Sequence, residues 1–242
     1  MKYFCSIVFI CSIGISGYAQ EVETEKEAAP TEVKKIDTVK INYLPTGIRM
    51  GTDLISLIRS QVDSKFNGWE LNADVDFYRY HLAVDYGYWA RQLTIKNGNF
   101  ENSGNYFRVG ADVNFLLKDP DRNMVFLGYR YGSSNFDHSV SYMQSKYLVT
   151  KPDFTSYSDT SVSAHWMELT AGLRVKIWKM IWMGYTARFK FAPRSSGYRE
   201  LQPYDIPGYG VFEKKIYWGF NYQIFFKIPV RKPDRPTSIL PK

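Results

Sequence analysis

The chain has 242 residues, 45% of them hydrophobic and 17% aromatic, a formal charge of +7 at pH 7 and two cysteines, Cys5 and Cys11. Both cysteines lie in an N-terminal segment that reads as a cleaved secretory signal. Its removal excludes a disulfide framework, a thiolate metal centre and a cysteine nucleophile from the mature protein. It also removes only Lys2 among charged residues and leaves +6; without a basic helix or an aromatic stacking platform, this surplus does not point to nucleic acid.

Residues 1–19 place Lys2 before an apolar run from Tyr3 to Ile15 and end on Gly17-Tyr18-Ala19, the order of a signal peptide and its cleavage site. The run is shorter than a membrane-spanning helix needs, and no stretch of 18 apolar residues follows it. Residues 20–43 are rich in Glu, Lys, Thr and Ala and nearly free of large apolar side chains, so a disordered leader is expected there.

From Ile48 onward, eight segments alternate apolar with polar residues, the period of a β-strand. In chain order they run Ile48 to Leu54, Leu71 to Phe77, Leu82 to Ala90, Tyr106 to Phe115, Val125 to Gly132, Met167 to Lys176, Ile181 to Phe191 and Trp218 to Lys227. The fourth is the clearest. Phe107, Val109, Ala111, Val113 and Phe115 face one way, and Arg108, Gly110, Asp112 and Asn114 the other.

The links alternate in length. Tight turns are read at Tyr78 to His81, Lys118 to Arg122 and Ile177 to Lys179, with longer loops at Ile58 to Gly68, Leu93 to Gly104, Ser133 to Ser163 and Pro193 to Phe212. Short turns on one side and long loops on the other predict an eight-stranded, antiparallel, up-and-down transmembrane β-barrel of the outer-membrane type, spanning residues 44–229, with both termini in the periplasm. Residues 230–242, with prolines at 233, 236 and 241, cannot continue a sheet and read as a periplasmic tail.

A soluble lipocalin-like barrel would show the same alternation with its apolar face inward. The polar face argues against it, because it carries glycine repeatedly at mid-strand (Gly51, Gly87, Gly110, Gly128, Gly172, Gly184 and Gly219). A solvated surface gains nothing from glycine, whereas a narrow bore is crowded. Charges of both signs share that face: Asp53, Glu70, Asp74, Asp76, Asp85 and Asp112 from the first four strands, and Arg130, Arg174, Lys176, Arg188, Lys190 and Lys227 from the last four. With Arg49, Arg91, Arg108 and Glu168 they are expected to form an internal ion-pair network that fills the bore. Eight strands leave an interior only wide enough for side chains.

Candidate chemistry is thin. His81 is read at a turn, His138 in the longest loop within Asp137-His138-Ser139, and His165 on the outward register. Three contiguous loop residues do not make a convergent triad, and no zinc, calcium or phosphate-loop spacing occurs. No cofactor and no catalytic residue is assigned. Loop aromatics are the stronger candidates for recognition: Tyr142, Tyr147, Phe154 and Tyr157 in one loop, and Tyr204 and Tyr209 in another.

Ile48-Arg49-Met50-Gly51-Thr52-Asp53-Leu54, Asn67-Gly68-Trp69-Glu70, Ala164-His165-Trp166-Met167-Glu168-Leu169, Ile206-Pro207-Gly208-Tyr209-Gly210 and Trp218-Gly219-Phe220-Asn221-Tyr222 together resemble the small Bacteroidota outer-membrane barrels known as domain of unknown function 6048. The resemblance runs from about Tyr43 to Pro229. It implies an envelope location and membership of a larger outer-membrane assembly or export machine, and it supplies no catalytic residues. The end of the chain departs from the usual barrel pattern, since Phe226 is followed by a proline-rich tail. The function expected from these readings is a non-enzymatic accessory subunit in outer-membrane lipid, with protein partners at its loops and tails. A lipid-modifying enzyme and a small channel are the alternatives.

Overall fold

The computed structural model describes residues 43–95, 98–119, 121–144, 153–199 and 201–231. The expected signal peptide, nearly all of the leader, most of the tail and Tyr147 lie outside these residues.

The described chain forms β1 (Gly47–Asp53), α1 (Leu54–Val62), β2 (Phe66–Phe77), β3 (Tyr80–Ile95), β4 (Gly98–Asn114), β5 (Met124–Gln144), β6 (Asp153–Trp178), β7 (Ile181–Ser196), the short strands β8 (Asp205–Ile206) and β9 (Gly210–Val211), and β10 (Ile216–Pro229). Eight of these strands close into an antiparallel barrel in the order β1-β10-β7-β6-β5-β4-β3-β2. Closure joins the first strand to the last, from Gly47 opposite Pro229 to Asp53 opposite Gln223. β8 and β9 pair only with each other.

The alternation is inverted relative to a soluble barrel. On β2, Glu70, Asn72, Asp74 and Asp76 are buried while Leu71 stands 55% exposed. Leu82, Leu127, Leu169 and Phe220 are all about half exposed on the outer wall. An outer surface this apolar suits hydrocarbon, and the fold is a transmembrane β-barrel of the outer-membrane type. No helix among the described residues is long and apolar enough to cross a membrane, so the strands do the crossing.

Three connections differ from the sequence reading. The loop expected at Leu93 to Gly104 is mostly strand, because β3 and β4 pair as far as Ile95 opposite Gly98. The loop expected from Ser133 to Ser163 is likewise a ladder, with β5 and β6 paired out to Gln144 opposite Asp153. β5 has 21 residues and β6 has 26, about 70 Å or more of extended chain, where a membrane-spanning strand needs about 9–11 residues. The outward residues of β5 turn polar after Tyr131, at Ser133, Asn135 and Asp137. The apolar signal therefore stops where the membrane stops, although the hydrogen-bonded ladder continues.

The third difference is at β1, which ends at Asp53 instead of running to Leu54. Asp53 turns the chain into α1 by accepting hydrogen bonds from the Ser56 backbone N–H (3.1 Å) and hydroxyl (2.6 Å), a side-chain N-cap. β1 is thus seven residues long between neighbours of 12 and 14, and α1 packs on both of them where β1 is missing. It satisfies part of the open edge of β2, since the Gly68 N–H donates to the Ser60 hydroxyl at 2.7 Å. On the β10 edge, the Tyr222 N–H donates to Asp53 Oδ1 at 3.0 Å. Ile55, Ile58 and Val62, at helical spacing, stand 42%, 62% and 81% exposed. They extend the lipid-facing band across the missing strand.

Candidate functional site

The bore is filled in layers. In the layer nearer the tight turns, Asp74 on β2 receives Arg49 of β1 (Nη2 to Oδ1, 2.7 Å) and Arg174 of β6 (Nη1 to Oδ2, 2.8 Å). Asp112 on β4 receives Arg130 of β5 at 2.7 Å and the other arm of Arg174 at 3.3 Å. His81, read from sequence as a turn residue, is buried in this layer with Nδ1 3.0 Å from Arg49 Nη2. The same Nδ1 lies 3.5 Å from Asp74 Oδ1, so it meets both a donor and an acceptor in this layer.

One level up, Arg108 of β4 pairs with Glu70 at 2.8 Å and Glu168 at 3.0 Å. Arg188 of β7 spans the bore, reaching Glu168 on the adjacent β6 and Asp85 on β3, both at 3.0 Å, and donating to Asn221 at 2.6 Å. Two aromatic side chains on the polar register complete the carboxylates: Tyr106 donates to Glu70 at 2.7 Å and Trp166 to Glu168 at 2.6 Å. These two were not singled out from the sequence. Their signal was an aromatic residue with a donor group two positions from a charged residue on the inward register.

Other residues expected in this network serve nearby tasks. Asp53 caps α1 and holds the β10 edge, as described above, and makes no ion pair among the described residues. Asp76 fastens the start of β1, accepting from the Thr46 N–H (2.7 Å), the Gly47 N–H (2.9 Å) and Lys227 Nζ (3.0 Å). Lys190 turns its ammonium toward backbone carbonyls instead of a carboxylate, donating to Gly208 at 2.7 Å and Tyr209 at 3.1 Å.

Those carbonyls belong to the β8–β9 hairpin, which folds into the bore from the end opposite the tight turns. Asp205, Ile206 and Tyr209 are completely buried. Ile206 and Tyr209 pack with Tyr106, Phe136, Val162, Ala164 and Trp166 in one apolar cluster. Arg108 adds a hydrogen bond to the Gly208 carbonyl at 3.0 Å, and Asn102 donates to the Asp205 backbone carbonyl at 2.7 Å. Gly208 is required twice over. Its φ is +81°, and a Cβ there would come within 2.6 Å of the Tyr106 ring. Burial raises the Asp205 carboxyl above the usual range against the pull of Arg91, 3.3 Å away. The same cause pushes the Tyr209 hydroxyl up to about 12, and that hydroxyl donates to the Lys214 carbonyl at 2.7 Å.

The aromatic residues proposed from sequence for recognition therefore separate. Tyr209 is part of the plug and unavailable to a partner, because the bore is deep enough to take the turn that carries it. Tyr204 remains 41% exposed, edge-on to Phe100 at 5.8 Å. Tyr142 and Tyr157 stack at 6.2 Å on the β5–β6 ladder instead of standing in a loop, and Phe154 falls on β6 as well. His138 is likewise not a loop residue. It is 2% exposed, with Nε2 3.0 Å from the Leu201 carbonyl, while Asp137 lies on the opposite face of the strand. Among the described residues, no three His, Cys, Asp or Glu side chains are grouped to hold a metal ion.

No curated protein matches the chain. Among solved structures, the crystal structure of Acinetobacter baumannii CarO is similar, with 13% identity, 77% of this chain and 99% of that chain covered, and a TM-score of 0.39. The model of the family named Domain of unknown function (DUF6048) matches residues 1–233, taking in the leader as well as the barrel, and the chain belongs to that family.

Proposed function

We propose that the protein is a sealed, non-enzymatic scaffold of the bacterial outer membrane, an accessory subunit that holds protein partners in a larger envelope complex. In this reading the tight turns and both termini face the periplasm, and the long hairpins face outward. The observation that carries it is the β5–β6 ladder, which continues for roughly ten residues per strand beyond the apolar band. A wall extended so far past the membrane adds nothing to crossing it and presents a rigid surface to proteins. The filled bore supports the same reading, because it leaves the outer surfaces as the places where function acts.

The test is purification of tagged protein from native outer membranes in mild detergent, beside a variant in which residues 137–160 are replaced by a short turn. The scaffold reading expects stoichiometric partners with the full chain and their loss from the shortened one. A full-length protein that purifies alone would contradict it.

A further inference from the structure

The tight-turn end of the barrel carries a bowl of about 440 Å³ that the sealed bore does not use, within the size range of small-molecule sites. Its charged lining comes from separate elements: Arg122 from the β4–β5 turn, Lys176 from the end of β6, Lys179 from the β6–β7 turn, Lys227 from β10 and Arg231 just beyond it. The floor is Trp182, 3% exposed. Its ring lies 5.5 Å from the Arg49 guanidinium, a member of the inner network, and 5.4 Å from the Lys227 ammonium of the bowl. That ring divides the closed interior from the open cup. Arg122 spans the rim, donating to the Thr46 hydroxyl at 3.3 Å.

The charges in the bowl are not balanced. Lys227 is neutralised by Asp76 at 3.0 Å, and Lys176 is loosely paired with Asp121, the one acidic lining residue, at 3.8 Å. Arg122 donates to a neutral hydroxyl, and Lys179 sits over the ring of Trp178 at 5.0 Å. Neither makes an ion pair among the described residues, and Arg122 meets the Asp76 carboxylate only through the Thr46 hydroxyl, which donates to Asp76 at 2.6 Å; the arginines of the bore each pair directly with a carboxylate. Between these cations lie Met180, Trp182, Pro229 and Val230, an apolar lining that a bare ion would not need.

We infer that this bowl binds a phosphate group carried on a molecule with an apolar portion, the phosphate between Arg122 and Lys179 and the apolar portion against Trp182 and Met180. An arginine fork and a flexible ammonium converging from two turns suit a phosphate's several oxygens. The same chemistry is offered by the headgroup of an anionic phospholipid and by a soluble phosphate ester.

The test uses the mature protein in phosphatidylcholine nanodiscs, titrated calorimetrically with inorganic phosphate and with pyrophosphate at low ionic strength. Saturable binding is expected, weakened at least tenfold in the double variant Arg122→Gln/Lys179→Gln. Both side chains are exposed, so the fold is retained, as circular dichroism would verify. Lys65→Gln, at the opposite end, leaves the affinity unchanged. Loss of phosphate binding in discs made with phosphatidylglycerol identifies a lipid headgroup as the occupant; equal binding in both discs identifies a soluble phosphate. Absence of binding by the wild type in phosphatidylcholine discs, or equal affinity of the wild type and the double variant, would overturn the inference.

Discussion

The two halves of the bore are filled by opposite chemistry. Toward the tight turns the interior is organised by ions, with Arg49, Asp74, Arg174, Asp112 and Arg130 joined in a continuous chain and Arg174 lying over the rings of Phe126 and Phe225. Toward the long hairpins it resembles the core of a soluble protein, with Tyr106, Phe136 and Trp166 of the wall packed against Ile206 and Tyr209 of the inserted hairpin. Arg108 lies at the boundary and serves both, pairing with Glu70 and Glu168 below and donating to the Gly208 carbonyl above. The ionic half is made from the wall itself, so it forms only when the ring of strands closes. The apolar half needs a separate segment, the β8–β9 hairpin, which takes no part in the hydrogen-bonded ring.

This difference orders the effects of mutation. Arg188→Met should do the most damage, since it leaves Glu168 and Asp85 with fewer cations in a buried layer. Loss of one partner from such a cluster costs about 3–5 kcal/mol, readable as a lowered urea midpoint for the reconstituted barrel. Gly208→Val strikes the other half. It forces a branched side chain into a left-handed backbone and against the Tyr106 ring, at a cost of about 1–3 kcal/mol. The loss should fall on hairpin docking, giving faster tryptic cleavage after Lys214 with the strand content of the barrel unchanged. Equal loss of strands in both variants would erase the distinction between the halves. Lys176→Gln, which removes a loose and exposed pair with Asp121 at 3.8 Å, should shift the urea midpoint by less than about 0.5 kcal/mol.

The barrel was legible in the sequence because lipid imposes a strict rule on every second residue. The outward series Phe107, Val109, Ala111, Val113 and Phe115 marked a strand with one apolar face, and glycines on the opposite register pointed to a crowded bore and so set that face toward lipid. Gly132 shows the crowding directly, since a Cβ there would run into the Trp166 ring. Beyond the membrane the rule lapses. Ser133 and Asn135 look like loop residues, yet they continue a strand because His165 and Ser163 of β6 are present to pair with them, while Asp137, at a bulge in that ladder, is held in the strand by Ser103 of β4.

Two elements depended on three-dimensional circumstance. Ile55, Leu57 and Ile58 become helical beside a gap in the wall, and no local pattern announces a missing strand. The segment Ile206-Pro207-Gly208-Tyr209-Gly210 was read as part of a long loop, and its inward fold depends on Lys190, Arg108 and Asn102, whose donors meet it in the bore. The charged residues of the site were readable as inward-facing; their partners across the bore, such as Asp85 for Arg188, were set by ring closure and radius, which no pairwise spacing along the chain encodes.

The bore is closed twice, by ions in one half and by the inserted hairpin in the other. Single-channel recording in planar bilayers tests this closure most directly, comparing the wild type with a variant whose residues 204–212 are replaced by a flexible Gly-Ser linker. Neither protein should show unitary conductance, because the arginine and carboxylate layers persist when the hairpin is gone. Stable unitary conductance from the wild type would contradict the double closure.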